Sequence, residues 1–135
     1  MIAADTSLVV SAFATWHTAH RSALVVLGEG AVIPAHVAVE AFSVLTRMPP
    51  PHRAPPHVVL EFLTRWFLPT GMLVPSAQLS RDLVGRCVAA DIQGGAVYDG
   101  LVGLTAAEAG ARLMTRDRRA AGSYRKLDLD FKLME

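Results

Sequence analysis

Short apolar runs that stop at a turn and give way to helix-patterned segments recur along the chain, and this alternation limits the possible folds more than any other feature. Met1 to Ala4 is such a run; Asp5-Thr6-Ser7 closes it, and Leu8, Val9, Ala12 and Phe13 then recur at helical spacing. His20 to Leu27 reads as a second helix ended by Gly28-Glu29-Gly30, and Ala31 to Ile33 as a strand before Pro34, which opens a helix to about Arg47. Val58 to Phe67, Gln78 to Ala90 and Tyr98 to Ala109 carry amphipathic helical spacing, with strands predicted at Met72 to Val74 and Ala111 to Thr115. Arg116 to Gly122 predicts a turn and a short helix, and Leu127 to Leu133 a last strand. Strands separated by helices are joined by crossovers, so the expected fold is α/β, a mostly parallel sheet with helices on both faces.

A length of 135 residues and a hydrophobic share of 52% are enough for one well-buried core, so a single domain over residues 1–135 is expected. Met48 to Pro56 holds five of the eight prolines and reads as an exposed loop inside that domain. Cys87 is the sole cysteine, which excludes a disulfide framework or a CxxC metal knuckle and fits a reducing cytoplasm. Asp5 interrupts the first apolar run, so no signal-peptide pattern is seen; Glu29 and Glu40 cut the later runs well short of the ~20 residues of a membrane span. A cytoplasmic protein with no membrane partner is therefore expected. The net charge of +1 says little, but of thirteen cationic side chains only Lys126 and Lys132 are lysine. Arginine's planar fork suits phosphate, and a GC-rich coding sequence would produce the same bias.

Four carboxylates do not read as ordinary surface charge. Asp5 and Asp117 each follow an apolar strand and precede a helix, which places them at strand carboxyl ends, where open α/β sheets bind ligands. The same positions suit helix N-caps, so each residue alone has two readings. Glu40 lies among Val37, Ala38, Val39, Ala41, Phe42, Val44 and Leu45, a helix apolar nearly all round and so expected to be mostly buried. A buried carboxylate must pair, protonate or coordinate a cation; a hydrogen bond to His36, one turn earlier, or emergence on the helix's one polar stripe are the alternatives. Asp99 sits among Gly95, Gly100 and Gly103, which predicts room for a close approach, or a capping role near Gly95.

The opening Asp-Thr-Ser, the Glu40 helix, Ala96-Val97-Tyr98-Asp99-Gly100-Leu101-Val102 with Ala106-Ala107, and Leu113-Met114-Thr115-Arg116-Asp117-Arg118-Arg119 together resemble the four motifs of the PIN-domain nucleases. The VapC toxins of toxin–antitoxin pairs are the nearest likeness, and Tyr124 adds to it. The resemblance implies a three-layer α/β/α PIN-like fold and a metal-dependent endoribonuclease. It also implies a small cognate antitoxin, a homodimer, and an acidic site of Asp5, Glu40, Asp99 and Asp117 holding Mg²⁺ or Mn²⁺, with Thr6 and Thr115 as supporting hydroxyls. Some relatives carry a further acid after the fourth motif; Arg118 and Arg119 stand there instead, which puts a second firmly held metal in question.

Such chemistry needs a hard cation to offset charge on the phosphate oxygens, and carboxylates select one. Two carboxylates ~5 Å apart at an effective dielectric of ~20 repel by roughly 3 kcal/mol, so the cluster is uncomfortable without a cation. Asp5 and Asp99 are the expected direct ligands, with Glu40 and Asp117 acting directly or through water. Arg112, Arg116, Arg118 and Arg119 are the expected RNA contacts, with Arg125 and Lys126 adding to a basic rim, unless ion pairs with Asp128 and Asp130 occupy them. No RNP-type aromatic motif is present, so recognition by shape and exposed single strands is expected. Ser7 replaces the second acid of a haloacid-dehalogenase signature, and no Gly-x-Ser-x-Gly elbow occurs. His17 and His20 lack a third metal ligand and read as exposed, while Trp16, Trp66 and Phe67 are candidates for an interface. The rival from another class is a non-catalytic PIN-fold module for dimerisation and protein capture.

Overall fold

A computed structural model describes residues 1–69 and 71–135. Its strands are β1 (Ile2–Ala4), β2 (Ile33–Pro34), β3 (Met72–Leu73), β4 (Arg112–Thr115) and β5 (Phe131–Leu133). Its helices are α1 (Thr6–Phe13), α2 (His20–Gly28), α3 (Ala35–Thr46), α4 (Pro56–Trp66), α5 (Ala77–Ala89), α6 (Ala96–Glu108) and α7 (Arg118–Lys126). Every strand pairing is parallel. One sheet runs β1-β4-β5, a second pairs β2 with β3, and a bridge between Ala3 and Val32 joins them in the order β3-β2-β1-β4-β5.

This order reverses beside β1. The chain leaves β1 toward β2 and β3, then returns across the sheet to β4 and β5. Right-handed crossovers therefore put α1 to α4 on one face and α5 to α7 on the other. The packing agrees: α1 lies on α2 and α3, α3 on α4, and α6 on α5 and α7. The central strands β1 and β4 are buried by both layers, and Ala3, Ala4, Leu113 and Met114 join Leu8, Val9, Ile33, Val37 and Val59 in one core. Full burial of each larger aliphatic side chain contributes about 1.5–3 kcal/mol. Where the strand order reverses, the carboxyl ends of β1 and β4 frame a crevice, and α3 meets α6 from the opposite layer.

Four sequence expectations change. The last strand is only Phe131–Leu133, because α7 extends to Lys126 and ends with Asp128 in the left-handed conformation, φ 55°. Leu129 N donates to Tyr124 O at 3.1 Å and Asp128 N to Arg125 O at 3.0 Å, the two bonds of a Schellman stop. Aspartate in place of the usual glycine hid this stop. Helix α4 begins at Pro56, inside the expected loop, since proline's missing N–H costs nothing in a first turn. Helix α3 is not buried all round: it is an outer-layer helix whose Val39 is 67% exposed and Phe42 40%. Of the three aromatic residues expected at an interface, Phe67 belongs to the core at 1% exposure, whereas Trp16 is half exposed.

Candidate active site

The crevice at the strand-order reversal is built outward from Asp5. Its backbone N–H donates to Met114 O at 3.1 Å, tying the end of β1 to β4. Its side chain caps α1, with Oδ1 accepting from Leu8 N at 3.3 Å and from Ser7 Oγ at 2.6 Å. Oδ2 accepts from Tyr124 Oη at 3.1 Å. Asp5 is only 4% exposed, and burial raises its pKa against the pull of hydrogen bonds from Ser7, Thr115, Leu8 and Tyr124. A carboxylate offers about four lone-pair sites, and the three hydrogen bonds with full geometry, from Ser7, Leu8 and Tyr124, leave one for a further partner.

Asp117 is the counterpart at the end of β4. It caps α7, its Oδ1 accepting from Arg119 N at 2.9 Å and Ala120 N at 3.3 Å, but it is exposed. A hydroxyl pair stitches the two strand ends together. Ser7 Oγ accepts from Arg116 N at 2.9 Å, Thr115 Oγ1 accepts from Asp117 N at 3.0 Å, and the two hydroxyls lie 3.4 Å apart. The capping and cleft readings of Asp5 and Asp117 therefore coexist.

Glu40 reaches the crevice from α3, about one-third exposed and 3.5 Å from His36 Nε2, the local partner expected from the i, i+4 spacing. Asp99 stands in the first turn of α6; the cap residue is Gly95, with no side-chain cap bond, so Asp99 does not serve as one. Burial pushes its pKa up to about 6, with further upward contributions from the charges of Asp117, Glu40 and Asp5. The four carboxyls thus share one electrostatic neighbourhood. Among the described residues, no three His, Cys, Asp or Glu side chains already stand at metal-holding distances.

The donor set suits a hard divalent cation: four oxygen acids, with Asp99 lifted above an ordinary carboxyl by burial first and by the charges of the other three second. Thr6 Oγ1, buried at the crevice, has no hydrogen-bond partner. A cleft of about 500 Å³ opens here, lined by Thr6, Ser7, Glu40, Arg116, Asp117 and Arg118 among others. Arg116 leaves Nε buried and without a partner, while its Nη1 donates to Ser11 Oγ at 3.4 Å.

Other sequence-derived residues lie elsewhere. Arg112 is the first residue of β4, at the amino end of the sheet, and pairs with Asp130 at 3.0 Å; parallel strands carry it away from the acidic crevice. Arg118 reaches Glu135 at 3.4 Å, and Lys126 Nζ donates to Asp91 O at 2.9 Å. His17 and His20 are part-buried, not exposed: His17 Nδ1 accepts from Ala19 N, and His20 Nδ1 lies 3.2 Å from Ser11 O. The glycines near Asp99 make room for protein. A Cβ on Gly103 would lie 2.5 Å from Leu129 Cδ1 and 3.0 Å from the Tyr124 ring, and one on Gly100 would lie 3.0 Å from Cys87 Sγ. Helix α6 is notched so that the Tyr124 ring can reach Asp5. Sequence reasoning missed Ser7, whose signal is its place two residues after a strand-end Asp, from which a hydroxyl can fold back.

A doubly wound α/β domain with acidic side chains gathered at its switch point is the class that fold and site define. The chain belongs to the PIN-domain family, whose model matches residues 2–126. It is 46% identical over 134 residues to Ribonuclease VapC40 of Mycobacterium tuberculosis (strain ATCC 25618 / H37Rv), covering 99% of each chain. It is 37% identical over 127 residues to Ribonuclease VapC27 of the same strain, covering 93% of this chain and 91% of that one. The fold matches the crystal structure of FitAcB from Neisseria gonorrhoeae with a TM-score of 0.66 and 17% identity, over 97% of this chain and 96% of that one. The chain is thus a VapC-like PIN protein.

Proposed function

We propose that this protein is a metal-dependent endoribonuclease, the toxin of a toxin–antitoxin pair, hydrolysing RNA phosphodiester bonds at the crevice between β1 and β4. The observation that carries the reading is Asp99, half-buried beside three other acids and lifted to about 6, a cluster that fits an oxygen-seeking cation. Two relatives bearing the name ribonuclease support the same activity. Mg²⁺ or Mn²⁺ at this place would act as Lewis acid and template for the scissile phosphate. In this reading Asp5 and Asp99 are direct ligands, and Glu40 and Asp117 ligate directly or position water.

The residues around the acids divide the remaining work. Tyr124 and Ser7 hold the Asp5 carboxylate in one orientation, so little reorganisation is needed when substrate arrives. Thr115 fixes the loop that presents Asp117. Arg116 and Arg118, which line the cleft, and Arg119 beside them offer charge to the RNA backbone. Exposed apolar side chains, Val39 and Phe42 on α3 and Val84 and Val88 on α5, support association with a second copy and a small antitoxin.

The test is RNA cleavage by purified protein in Mg²⁺ or Mn²⁺, with and without EDTA, beside Asp5→Asn. Metal-dependent cutting that EDTA and Asp5→Asn both abolish is expected. Wild-type protein that binds a partner but leaves RNA intact with either metal would favour the non-catalytic module instead.

A further inference from the structure

We propose that Tyr98 and His36 form a stacking site for a base of single-stranded RNA beside the cleaved phosphate; this rests on the nuclease reading of the acidic crevice. Tyr98 comes from α6 and His36 from α3, helices of opposite layers that meet over the switch point. Their rings are stacked, 5.2 Å between centroids and 6° from parallel. Tyr98 nevertheless remains 51% exposed, an amount of aromatic surface left in water that internal packing does not explain.

The ledge adjoins the site on both sides. Tyr98 immediately precedes Asp99, and His36 stands 3.5 Å from Glu40. A second cleft of about 300 Å³ runs along it, lined by His36, Val39, Glu40, Ser43, Arg47 and Tyr98. Glu40 lines this cleft and the larger one containing Arg116, Asp117 and Arg118. A strand crossing Glu40 would therefore meet arginine on either side, with Arg47 exposed at the far wall and free of any ion pair among the described residues. An aromatic face flanked by cations is how proteins hold single-stranded nucleic acid, and stacking contributes ~1–3 kcal/mol per base with little sequence preference. The order along the strand is then base on Tyr98, phosphate at the acids, and backbone at Arg116 and Arg118.

The probe is a short single-stranded RNA carrying 2-aminopurine or an abasic site at successive positions, bound in EDTA and then cleaved in Mg²⁺. Wild-type protein should quench 2-aminopurine most at one position, and an abasic site there should weaken binding most. Tyr98→Ala should lose that quench, become indifferent to that abasic site, and raise KM for RNA roughly 5- to 100-fold, as loss of one stacked base requires. Tyr98→Phe should rescue both, since the ring and not the hydroxyl stacks. Arg47→Ala should lower affinity at every position alike and reduce the salt slope by about 0.7. Unchanged quench and KM in Tyr98→Ala overturn the stacking site while cleavage by wild type leaves the nuclease reading standing. A Tyr98-dependent quench in a protein that cuts nothing does the reverse. A fall in molar mass by light scattering on Tyr98→Ala would assign the ledge to contact between copies of the chain and overturn the proposal.

Discussion

The ends of β1 and β4 carry the same device, an aspartate that closes a strand and caps the next helix, in opposite surroundings. At β1, Asp5 is buried under the Tyr124 hydroxyl and held by Ser7; at β4, Asp117 is exposed and held by backbone N–H groups alone. The difference separates two roles that one residue type can fill at once. Capping needs only an acceptor, whereas burial makes the negative charge itself costly. A fold that retains such a charge at one strand end and not at the other has one rigid acid and one solvated acid facing the same crevice.

Charge removal sharpens that contrast most. Asp5→Asn and Asp117→Asn both keep a cap, and both should lower Mg²⁺-dependent cleavage, Asp5→Asn by ~100-fold or more since a direct ligand supplies several kcal/mol of charge stabilisation. Their effects on metal-free stability should differ. Asp5→Asn should raise the melting temperature in EDTA, because burial disfavours its ionised form, while Asp117→Asn should leave it nearly unchanged. Equal shifts in the two melts would remove the distinction drawn between the strand ends.

The next largest effect concerns the Tyr124 support. Gly103→Ala forces a methyl against the Tyr124 ring and Leu129, and urea unfolding should show a loss of about 1–3 kcal/mol. Gly122→Ala, in α7 with nothing within 4 Å of the new methyl, should instead gain about 0.5–1 kcal/mol. Tyr124→Phe keeps the ring and deletes the donor to Asp5 Oδ2, which should cost about 1 kcal/mol in the same experiment.

A pH series tests the crowding around Asp99. Its folded pKa of about 6 lies above the ordinary 3.8, so between those values the folded protein holds a proton that the unfolded chain has released. Its contribution to metal-free stability is therefore full below pH 3.8 and lost as pH rises through 6, on the order of 1 kcal/mol after solvent screening. Melts in EDTA across that window should show this decline for wild type and a flatter profile for Asp99→Asn. At the exposed strand end, Asp117→Ala should lose about 1 kcal/mol as a cap alone.

Helix-and-strand alternation was readable in the sequence because apolar period and capping residues are local signals, and it led directly to a parallel sheet. The four acids were legible one by one from their places on strands and helices. Their surroundings were not. The exposed stripe of α3 depends on the absence of a neighbouring layer, which apolar spacing does not record. Gly103 looked like room for a ligand, but the space is filled by a tyrosine 21 positions along the chain, and only tertiary structure brings that ring to α6. Arg112 looked like one of a basic group because it lies close to Arg116 in sequence; four residues of strand carry it to the other end of the sheet, against Asp130.

The join between the two parts of the sheet has a consequence for motion. Between β1 and β2 the contact is one bridge, Ala3 opposite Val32, closed by Ala4 N to Val32 O at 2.8 Å and Val32 N to Ile2 O at 3.0 Å. On one side of this seam lie β2, β3 and Glu40 in the middle of α3; on the other lie Asp5 and Asp117. The core spans this seam, with α1 packed on α3 and Ala3, Ala4, Ile33 and Val37 in one cluster, so opening it must loosen that packing as well. The amide protons of Ala4 and Val32 should therefore exchange with solvent together, as one cooperative unit. Any cation shared across the seam should slow both, so this pair of protons reports on occupancy of the crevice from inside the sheet.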